Sequence, residues 1–258
     1  MRWWLILFPA ILAAQDEGKE VWKAAEIERL LAETRQDRML LARPAYEIRL
    51  RVIEGRFSGK AAADHILQVR KGRGVVSMGG QRHELGAGDF LHVVRNTPHE
   101  IVPGGGRLEL VVLRIVATGE NLPERRGLLA PRRMPEVLRK AEIDATIATH
   151  QSNQPLHASK AYTMNYVIYP GKPGPWEAHR GCVDIYFVQH GTAKALLGGR
   201  ITNPREQSPG EIRGDGVEGA REYEIGPGDL VHIPRNGAHH MIPAGDKLAY
   251  LLLKIWAD

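Results

Sequence analysis

The chain contains the stretch GPGDLVHIPRNGAHHMIP (Gly226–Pro243), and a close copy, GAGDFLHVVRNTPHEIVP (Gly86–Pro103), lies 140 residues earlier. The two stretches align without a gap, and eight of the eighteen positions are identical. The same register continues downstream, where GGGRLELVVLRI (Gly104–Ile115) matches AGDKLAYLLLKI (Ala244–Ile255). A duplicated domain explains this repeat, and 258 residues are enough for two small domains.

Each half has the pattern of short strands. Tyr46–Ile53 alternates apolar and polar residues, and Asp184–Gly199 is rich in β-branched and aromatic residues with one glycine break. Many short strands between turn signals predict a β-sandwich or barrel in each half. A helix is expected ahead of each, because KAAEIERLL (Lys23–Leu31) resembles RKAEIDATI (Arg139–Ile147). The second half has about 21 additional residues within Ile201–Tyr223, which its Gly, Pro and Asp content predicts to be a long hairpin loop.

Composition and charge indicate an ordinary soluble globular protein, with 43% hydrophobic and 25% charged residues. The densest basic cluster consists of Arg125, Arg126, Arg132 and Arg133, among prolines. It lacks the aromatic or glycine-rich context of a nucleic-acid surface, so we interpret it as a solvated linker and expect no nucleic-acid partner.

The first fourteen residues, MRWWLILFPAILAA, carry one arginine followed by an apolar run too short to span a bilayer. This pattern predicts a secretory signal cut after Ala14, and an uncleaved anchor is the alternative. We therefore expect a periplasmic or secreted protein with no membrane association after cleavage. Cys182 is the only cysteine and cannot form a disulfide within the chain.

Two motifs of the second half resemble those of the cupin superfamily, which are small β-barrels of the jelly-roll kind. The first family motif is glycine, five residues, His-x-His, three or four residues, Glu, six residues and glycine. Gly171–Gly191 keeps that spacing, with Glu177 at the first His and Asp184 at the Glu. The second motif is glycine, five residues, Pro-x-Gly, two residues and His, and Gly228–His239 keeps it with Asn236 at the last glycine.

This resemblance covers nearly the whole chain after the first helix, counted as two copies, and it identifies the chain as a bicupin. It implies an all-β fold of two jelly-roll barrels in tandem, each preceded by a short helix. We expect a signal segment at residues 1–14, an N-terminal barrel at 15–122, a linker and helix at 123–149, and a C-terminal barrel at 150–258.

The resemblance implies a metal site made by Glu177, His179, Asp184 and His239. Glu177 and His179 are two residues apart and would point the same way on a strand. Two histidines and two carboxylates suit a divalent transition metal, with iron or manganese favoured and zinc, nickel or copper also compatible. Alternatively, Glu177 is a catalytic general base beside an ion with three ligands.

The first half keeps only part of the pattern. Gly88, Asp89 and His99 survive from the second motif, with Val94 in place of the proline. The segment Val52–His65 is four residues shorter than its counterpart, and we expect the loss to fall where the two leading ligands would lie. His65 and His99 would remain as a residual pair, so this barrel is predicted to be structural.

Other polar and aromatic residues are first assigned to the fold. His92 and His232 are equivalent in the two halves, as are Arg95 and Arg235, so the shared barrel is the simpler explanation for both pairs. His240 is expected to point away from the site. Four residues on or near the motif strands are core candidates that could also wall a pocket: Tyr166, Trp176, Tyr186 and Gln189.

The leading functional hypothesis is an exported metal-dependent enzyme that acts on a small organic molecule with dioxygenase-like chemistry. A metal-dependent lyase or isomerase remains open. The alternative of another class is a periplasmic protein that binds or senses a small ligand without turnover. The strand-rich halves also make a homodimer through sheet edges a prediction.

Overall fold

The structure is a computed structural model that describes residues 20–60, 62–118 and 132–256. Within these ranges the chain is mainly β, with two helices, α1 (Ala24–Glu33) and α2 (Lys140–Thr149). No helix in them is long and apolar enough to cross a membrane. The expected signal segment at residues 1–14 lies outside the described residues, as do Arg125 and Arg126.

The strands of the first half begin with a short leading strand ahead of α1. They are β1 (Val21–Trp22), β2 (Asp37–Arg43), β3 (Tyr46–Ile53), β4 (Phe57–Lys60), β5 (Asp64–Lys71), β6 (Gly74–Met78), β7 (Gln81–Leu85), β8 (Phe90–Val93), β9 (Pro98–Pro103) and β10 (Leu108–Ile115).

The strands of the second half follow the same plan, with four additional short strands in the middle. They are β11 (Val137–Leu138), β12 (Gln154–Ala158), β13 (Tyr162–Tyr169), β14 (Trp176–His179), β15 (Cys182–His190), β16 (Ala193–Leu197), β17 (Arg200–Thr202), β18 (Arg205–Ser208), β19 (Glu211–Gly214), β20 (Gly216–Glu218), β21 (Arg221–Ile225), β22 (Leu230–Ile233), β23 (His239–Pro243) and β24 (Leu248–Trp256).

Each barrel is built from two antiparallel sheets, and the second half adds a two-stranded sheet of β17 and β20. In the N-terminal barrel, a sheet with the order β11-β8-β5-β10-β3-β2 is accompanied by the sheet β4-β9-β6-β7. In the C-terminal barrel, a sheet with the order β1-β22-β15-β24-β13-β12 is accompanied by the sheet β18-β19-β14-β23-β16-β21. Apolar side chains from both sheets of a barrel form its own core. The prediction of two tandem jelly-roll barrels is confirmed.

The six-stranded sheets that contain β10 and β24 pack against each other through a shared apolar core. In it, the rings of Phe90 and Phe187 meet edge to face at 5.2 Å. Strands β10 and β24 are therefore covered on both faces, by the barrel core on one side and by the opposite barrel on the other. This explains why they are apolar at almost every position instead of alternating.

The leading strand of each half pairs with the opposite barrel. Strand β1 is antiparallel to β22 of the C-terminal barrel, and β11 is antiparallel to β8 of the N-terminal barrel. The repeated aspartate of the Gly-x-Gly-Asp motif binds the first amide of the helix that follows the paired leading strand. Asp229 accepts a hydrogen bond from Ala24 N at 2.7 Å. Asp89 accepts one from Lys140 N at 2.9 Å. Each aspartate thus satisfies an unpaired amide at a helix start.

Two buried histidine–tyrosine pairs cross between the barrels. Tyr46 Oη lies 2.6 Å from His232 Nε2, and Tyr162 Oη lies 2.7 Å from His92 Nε2. Each pair joins one residue of each barrel, in mirrored positions. Both histidines therefore serve the shared architecture, as their equivalence in the repeat suggests.

Two expectations about local structure need correction. The segment Ile201–Tyr223 is folded as a hairpin, since β17 pairs with β20 and β18 pairs with β19. It is not a loop, because it contains β18, β19 and β20 and parts of β17 and β21, and β19 pairs with β14. Glycines interrupt these strands so often that their composition is that of a loop. In the first half, the strand register makes Ile53 equivalent to Tyr169, so the segment is three residues shorter and not four. This shortening does not remove both leading ligand positions. Gly59 pairs with His99 as Glu177 pairs with His239, so that position persists without a side chain.

Candidate metal centre

Three strands bring the predicted ligands to one end of the C-terminal barrel. Glu177 and His179 lie on β14, His239 begins β23, and Asp184 lies on β15. Strands β14 and β23 are paired at Glu177 and His239. One donor atom from each of Glu177, His179 and His239 lies within 4.8 Å of the others. Among the described residues, this is the group of His, Cys, Asp and Glu side chains whose spacing suits a metal ion.

The turn before β23 fixes the ring of His239. Asn236 has φ of 61°, a left-handed conformation that asparagine tolerates better than most residues, which explains how it replaces the glycine of the motif. His239 Nδ1 then lies 3.0 Å from the Gly237 carbonyl oxygen and donates to it. This leaves Nε2 facing Glu177 Oε1, 3.2 Å away.

His239 Nε2 is buried and has no aligned hydrogen-bond partner. A buried imidazole lone pair that faces a carboxylate is unfavourable unless a cation or a proton lies between them. Metal-ligating histidines characteristically donate their other ring nitrogen to a carbonyl, as His239 does here. The orphaned nitrogen and the donor set therefore fit a divalent cation.

His179 is surrounded by charged groups. Its Nδ1 lies 2.9 Å from Glu211 Oε2, and its Nε2 lies 2.9 Å from Lys254 Nζ and 3.4 Å from Asp184 Oδ2. Burial lowers the pKa of His179, but the contacts with Asp184 and Glu211 outweigh it and raise that pKa to about 9. A metal would therefore have to displace a proton and the Lys254 ammonium from this ring.

Both predicted carboxylate ligands are ionised at neutral pH. Burial raises the pKa of Glu177, but His239, His179 and Arg213 outweigh it and bring that pKa to about 2. For Asp184, burial likewise raises the pKa, and Lys254 and the two histidines lower it overall. An ionised Glu177 suits a ligand better than a general base, because a carboxylate with so low a pKa accepts a proton poorly.

Asp184 is the predicted ligand that stands apart from the group of three. Its Oδ2 lies 4.0 Å from His239 Nε2 and 3.8 Å from Lys254 Nζ. Tyr186 Oη donates to the same oxygen at 3.4 Å, and Cys182 Sγ lies 3.7 Å from Oδ1. Asp184 thus holds Lys254 beside His179.

Three charged residues of the site were missed by sequence reasoning: Glu211, Arg213 and Lys254. Glu211 and Arg213 come from β19, inside the segment expected to be a loop, and Arg213 Nη1 lies 2.5 Å from Glu177 Oε2. The signal for Lys254 was its position in the repeat, where a cation interrupts an otherwise apolar strand and Arg114 is its counterpart.

A pocket of about 680 Å³ opens over these residues. Its lining includes Tyr169, Glu177, Asp184, Tyr186, Glu211, Arg213, Tyr250 and Lys254. Tyr186 stacks on Tyr250 with ring centroids 4.2 Å apart, which gives one wall an aromatic surface. Of the other candidate wall residues, Tyr166 lies in the core between the barrels, and Trp176 stacks on His240 at 3.9 Å.

In the N-terminal barrel, the corresponding positions that the structure describes hold no comparable ligand set. In the strand register, His65 lies opposite Arg114 as Asp184 lies opposite Lys254, and His99 lies at the position equivalent to His239. Both histidines are buried, and Gly59 stands opposite His99 where the other barrel has Glu177.

Comparison with known proteins agrees with this architecture. A family model described as Cupin domain matches residues 61–115. No curated protein sequence matches the chain. Among solved structures, a Cupin 2 conserved barrel domain protein from Leptotrichia buccalis is similar with a TM-score of 0.61 and 13% identity, over 89% of this chain and 94% of that one.

A salicylate 1,2-dioxygenase from Pseudaminobacter salicylatoxidans is similar with a TM-score of 0.64 and 12% identity, over 96% of this chain and 88% of that one. Another structure of salicylate 1,2-dioxygenase, in adducts with gentisate, has a TM-score of 0.63 and 11% identity, over 92% and 82% of the two chains. At these identities the likeness concerns the fold.

Proposed function

Because the chain has the duplicated barrel fold of the bicupins, we propose that its C-terminal barrel is a metal-dependent enzyme site with dioxygenase-like chemistry on a small organic molecule. The observation that carries this proposal is the convergence of Glu177, His179 and His239, with donor atoms within 4.8 Å of one another. Two histidines and one carboxylate with open positions are the donor set of non-haem Fe(II) oxygenases. The fold shared with a salicylate dioxygenase supports the same class.

Glu177, His179 and His239 would hold the metal, and this donor set favours iron over the other candidates. When bound, the ion would supply Lewis-acid polarisation of a substrate oxygen and the electrons for O2 chemistry. Asp184, the fourth ligand predicted from the sequence, pairs instead with Lys254 and sets the charge around the ion.

The chain's own residues prepare the site for an oxygen-rich substrate. Arg213 binds Glu177 Oε2 and so directs Oε1 towards His239. Lys254 and Arg213 share the pocket lining with Glu177, Asp184 and Glu211. When a bound cation offsets these carboxylates, the two basic side chains favour an acidic or enolic oxygen on the substrate. The stacked rings of Tyr186 and Tyr250 provide an aromatic surface against which an apolar part of the substrate can pack.

The first test is the metal content of tag-free protein, reconstituted anaerobically with Fe(II), beside two variants. His239→Ala removes a proposed ligand, and His99→Ala removes its counterpart in the other barrel. We expect near-stoichiometric iron in the parent and in His99→Ala, and loss of most iron in His239→Ala. O2 consumption would then be measured with gentisate, salicylate and other chelating phenols. Equal iron in the two variants would contradict the proposed site.

A second function is favoured by one observation, the contact of Lys254 Nζ with His179 Nε2 at 2.9 Å. If the ammonium keeps the place of the cation, the barrel would bind or sense a small acidic ligand without turnover. Absence of bound iron after reconstitution, together with saturable binding of a small carboxylate that Lys254→Met abolishes, would support this function against the enzyme.

We also propose that the protein is exported and that it forms a homodimer, both on the sequence patterns alone. Amino-terminal sequencing of the protein recovered outside the cytoplasm should begin at Gln15. Multi-angle light scattering should give twice the mass of the processed chain, and a monomer mass would contradict the dimer.

A further inference from the structure

The mouth of the N-terminal barrel carries the opposite charge to the candidate metal centre. The strand register makes Arg51 the counterpart of Val167 and Arg49 the counterpart of Asn165. Where the C-terminal barrel has the carboxylate of Asp184, the N-terminal barrel has the imidazole of His65. Duplication has therefore given one barrel mouth carboxylates for a cation and the other guanidinium groups.

These arginines face into the barrel. The cross-strand partners of Arg51 and Arg49 are Leu110 and Val112, which belong to the barrel core, and paired residues lie on the same face of a sheet. Arg114, the partner of His65 on β5, completes the set.

The carboxylates beside these arginines are too few to neutralise them. Glu47 pairs with both Arg49, at 2.6 Å, and Arg114, at 3.3 Å. Arg51 pairs with Asp37 at 2.8 Å. Three guanidinium groups therefore share two carboxylates, and one positive charge is left over.

His65 is the unpartnered polar group at this mouth. Its side chain belongs to a residue only 9% exposed, and its Nε2 is buried without a hydrogen-bond partner. Burial, together with the positive charges of Arg51, His99, Arg114 and Arg49, lowers the pKa of His65 to about 4. A buried polar nitrogen in a positive field calls for an anionic hydrogen-bond acceptor.

Space for a ligand lies beside one member of this cluster. A cleft of about 730 Å³ is lined in part by Arg51, its partner Asp37 and Phe57, and Arg51 is the member of the cluster that this lining contains. The guanidinium of Arg51 lies 4.9 Å from the ring centroid of Phe57, and the Phe57 ring lies 6.0 Å from that of His99. A Cβ atom at position 59 would lie 3.3 Å from Cε1 of His99. Because Gly59 has no side chain, the space beside the His99 ring stays open.

We propose that the mouth of the N-terminal barrel binds a small organic carboxylate, with Arg51 and His65 as its polar contacts and Phe57 as an apolar wall. The carboxylate takes up the excess positive charge and gives His65 Nε2–H an acceptor. The aromatic wall beside the guanidinium suits an organic anion better than inorganic phosphate. This site is separate from the candidate metal centre and does not depend on the proposed catalysis.

The test is isothermal titration of the full chain with benzoate, in the parent and two variants. Arg51→Val installs the residue that the other barrel has at this position, and Lys194→Met removes an exposed cation that lines neither pocket. We expect Arg51→Val to weaken benzoate binding at least about tenfold, the usual scale for a lost charge-assisted contact, and Lys194→Met to leave it within about twofold. Equal affinity of the parent and Arg51→Val, or loss of binding in Lys194→Met, would overturn the proposal.

A second measurement decides the matter if Arg51→Val does not fold. Histidine ring resonances of the labelled parent protein would be followed during the titration, with His65 assigned from His65→Gln. We expect benzoate to shift the His65 resonances saturably with the calorimetric affinity. Unchanged His65 resonances at saturation, or binding of inorganic phosphate with none of benzoate, would refute the organic-carboxylate site.

Discussion

Replacing Lys254 by methionine should increase metal affinity while weakening the metal-free protein. The ammonium lies 2.9 Å from His179 Nε2 and 3.8 Å from a carboxylate oxygen of both Asp184 and Glu211. Lysine and metal therefore compete for the same place beside His179 Nε2 and for the same negative charge. Methionine keeps the length of the side chain and removes the competing cation.

The expected magnitudes follow from these contacts. At 3.8 Å and an effective dielectric constant of about 20, each carboxylate attracts the ammonium by about 4 kcal/mol before desolvation is subtracted. Removing one partner of a buried pair costs about 3–5 kcal/mol, and Lys254 is 18% exposed, so we expect the metal-free variant to lose about 3 kcal/mol of unfolding free energy. Without the competing ammonium, Fe(II) affinity should rise at least about tenfold, or about 1.4 kcal/mol.

Two assays measure the two halves of this prediction. Urea unfolding of metal-free protein gives the change in stability, and anaerobic competition with a chromophoric chelator gives the Fe(II) affinity. Arg114→Met is the matched control, since Arg114 occupies the equivalent position in the other barrel and should leave Fe(II) affinity within about twofold. A folded Lys254→Met protein with unchanged or weaker Fe(II) affinity would refute the competition between lysine and metal.

Three further outcomes are expected. The pKa of His179 is raised from 6.5 to about 9, so the protonated ring stabilises the metal-free protein fully below pH 6.5, and this stabilisation is lost as the pH rises through 9. Urea unfolding should show the unfolding free energy fall by at most about 3 kcal/mol over this range, and the fall should be absent in His179→Gln. Tyr46→Phe leaves buried His232 without its partner and should reduce the unfolding free energy by about 1–3 kcal/mol, and a change under about 0.3 kcal/mol would show that the bond adds nothing. Gly191→Ala should lower the yield of folded protein, because φ is 71° and a Cβ would lie 2.0 Å from Lys247 O; normal stability would contradict this close approach.

The sequence repeat was sufficient to predict the two barrels, because the recurring Gly-x-Gly-Asp turn and the strand after it must pack the same way twice. The spacing of Glu177, His179 and His239 also predicted residues that the fold brings together. Asn236 could replace the motif's glycine without changing the turn, since both residues tolerate a positive φ.

The charged residues around those three could not be predicted in the same way. Glu211 and Arg213 lie in strands too short and glycine-interrupted to show a period of two. Lys254 resembles a surface residue in the sequence, and its partner Asp184 is 70 positions away, so only the strand register reveals the pair. The pairing of β1 and β11 with opposite barrels was also invisible, because a two-residue strand has no pattern of its own.

The crossing of these leading strands has a consequence for how such a chain could have arisen and how it can be divided. A solitary barrel with the same leading segment would have an unpaired sheet edge and a helix whose first amides lack their aspartate. Two copies of such a barrel could satisfy both by exchanging their leading strand and helix. The present chain is then equivalent to a segment-exchanged dimer whose two subunits are joined by the linker at residues 119–131. Neither half is then an independent domain. Proteolytic cleavage in this linker should leave two fragments that remain associated. The surface by which two barrels associate is already used within one chain, so further assembly must take place elsewhere on the molecule.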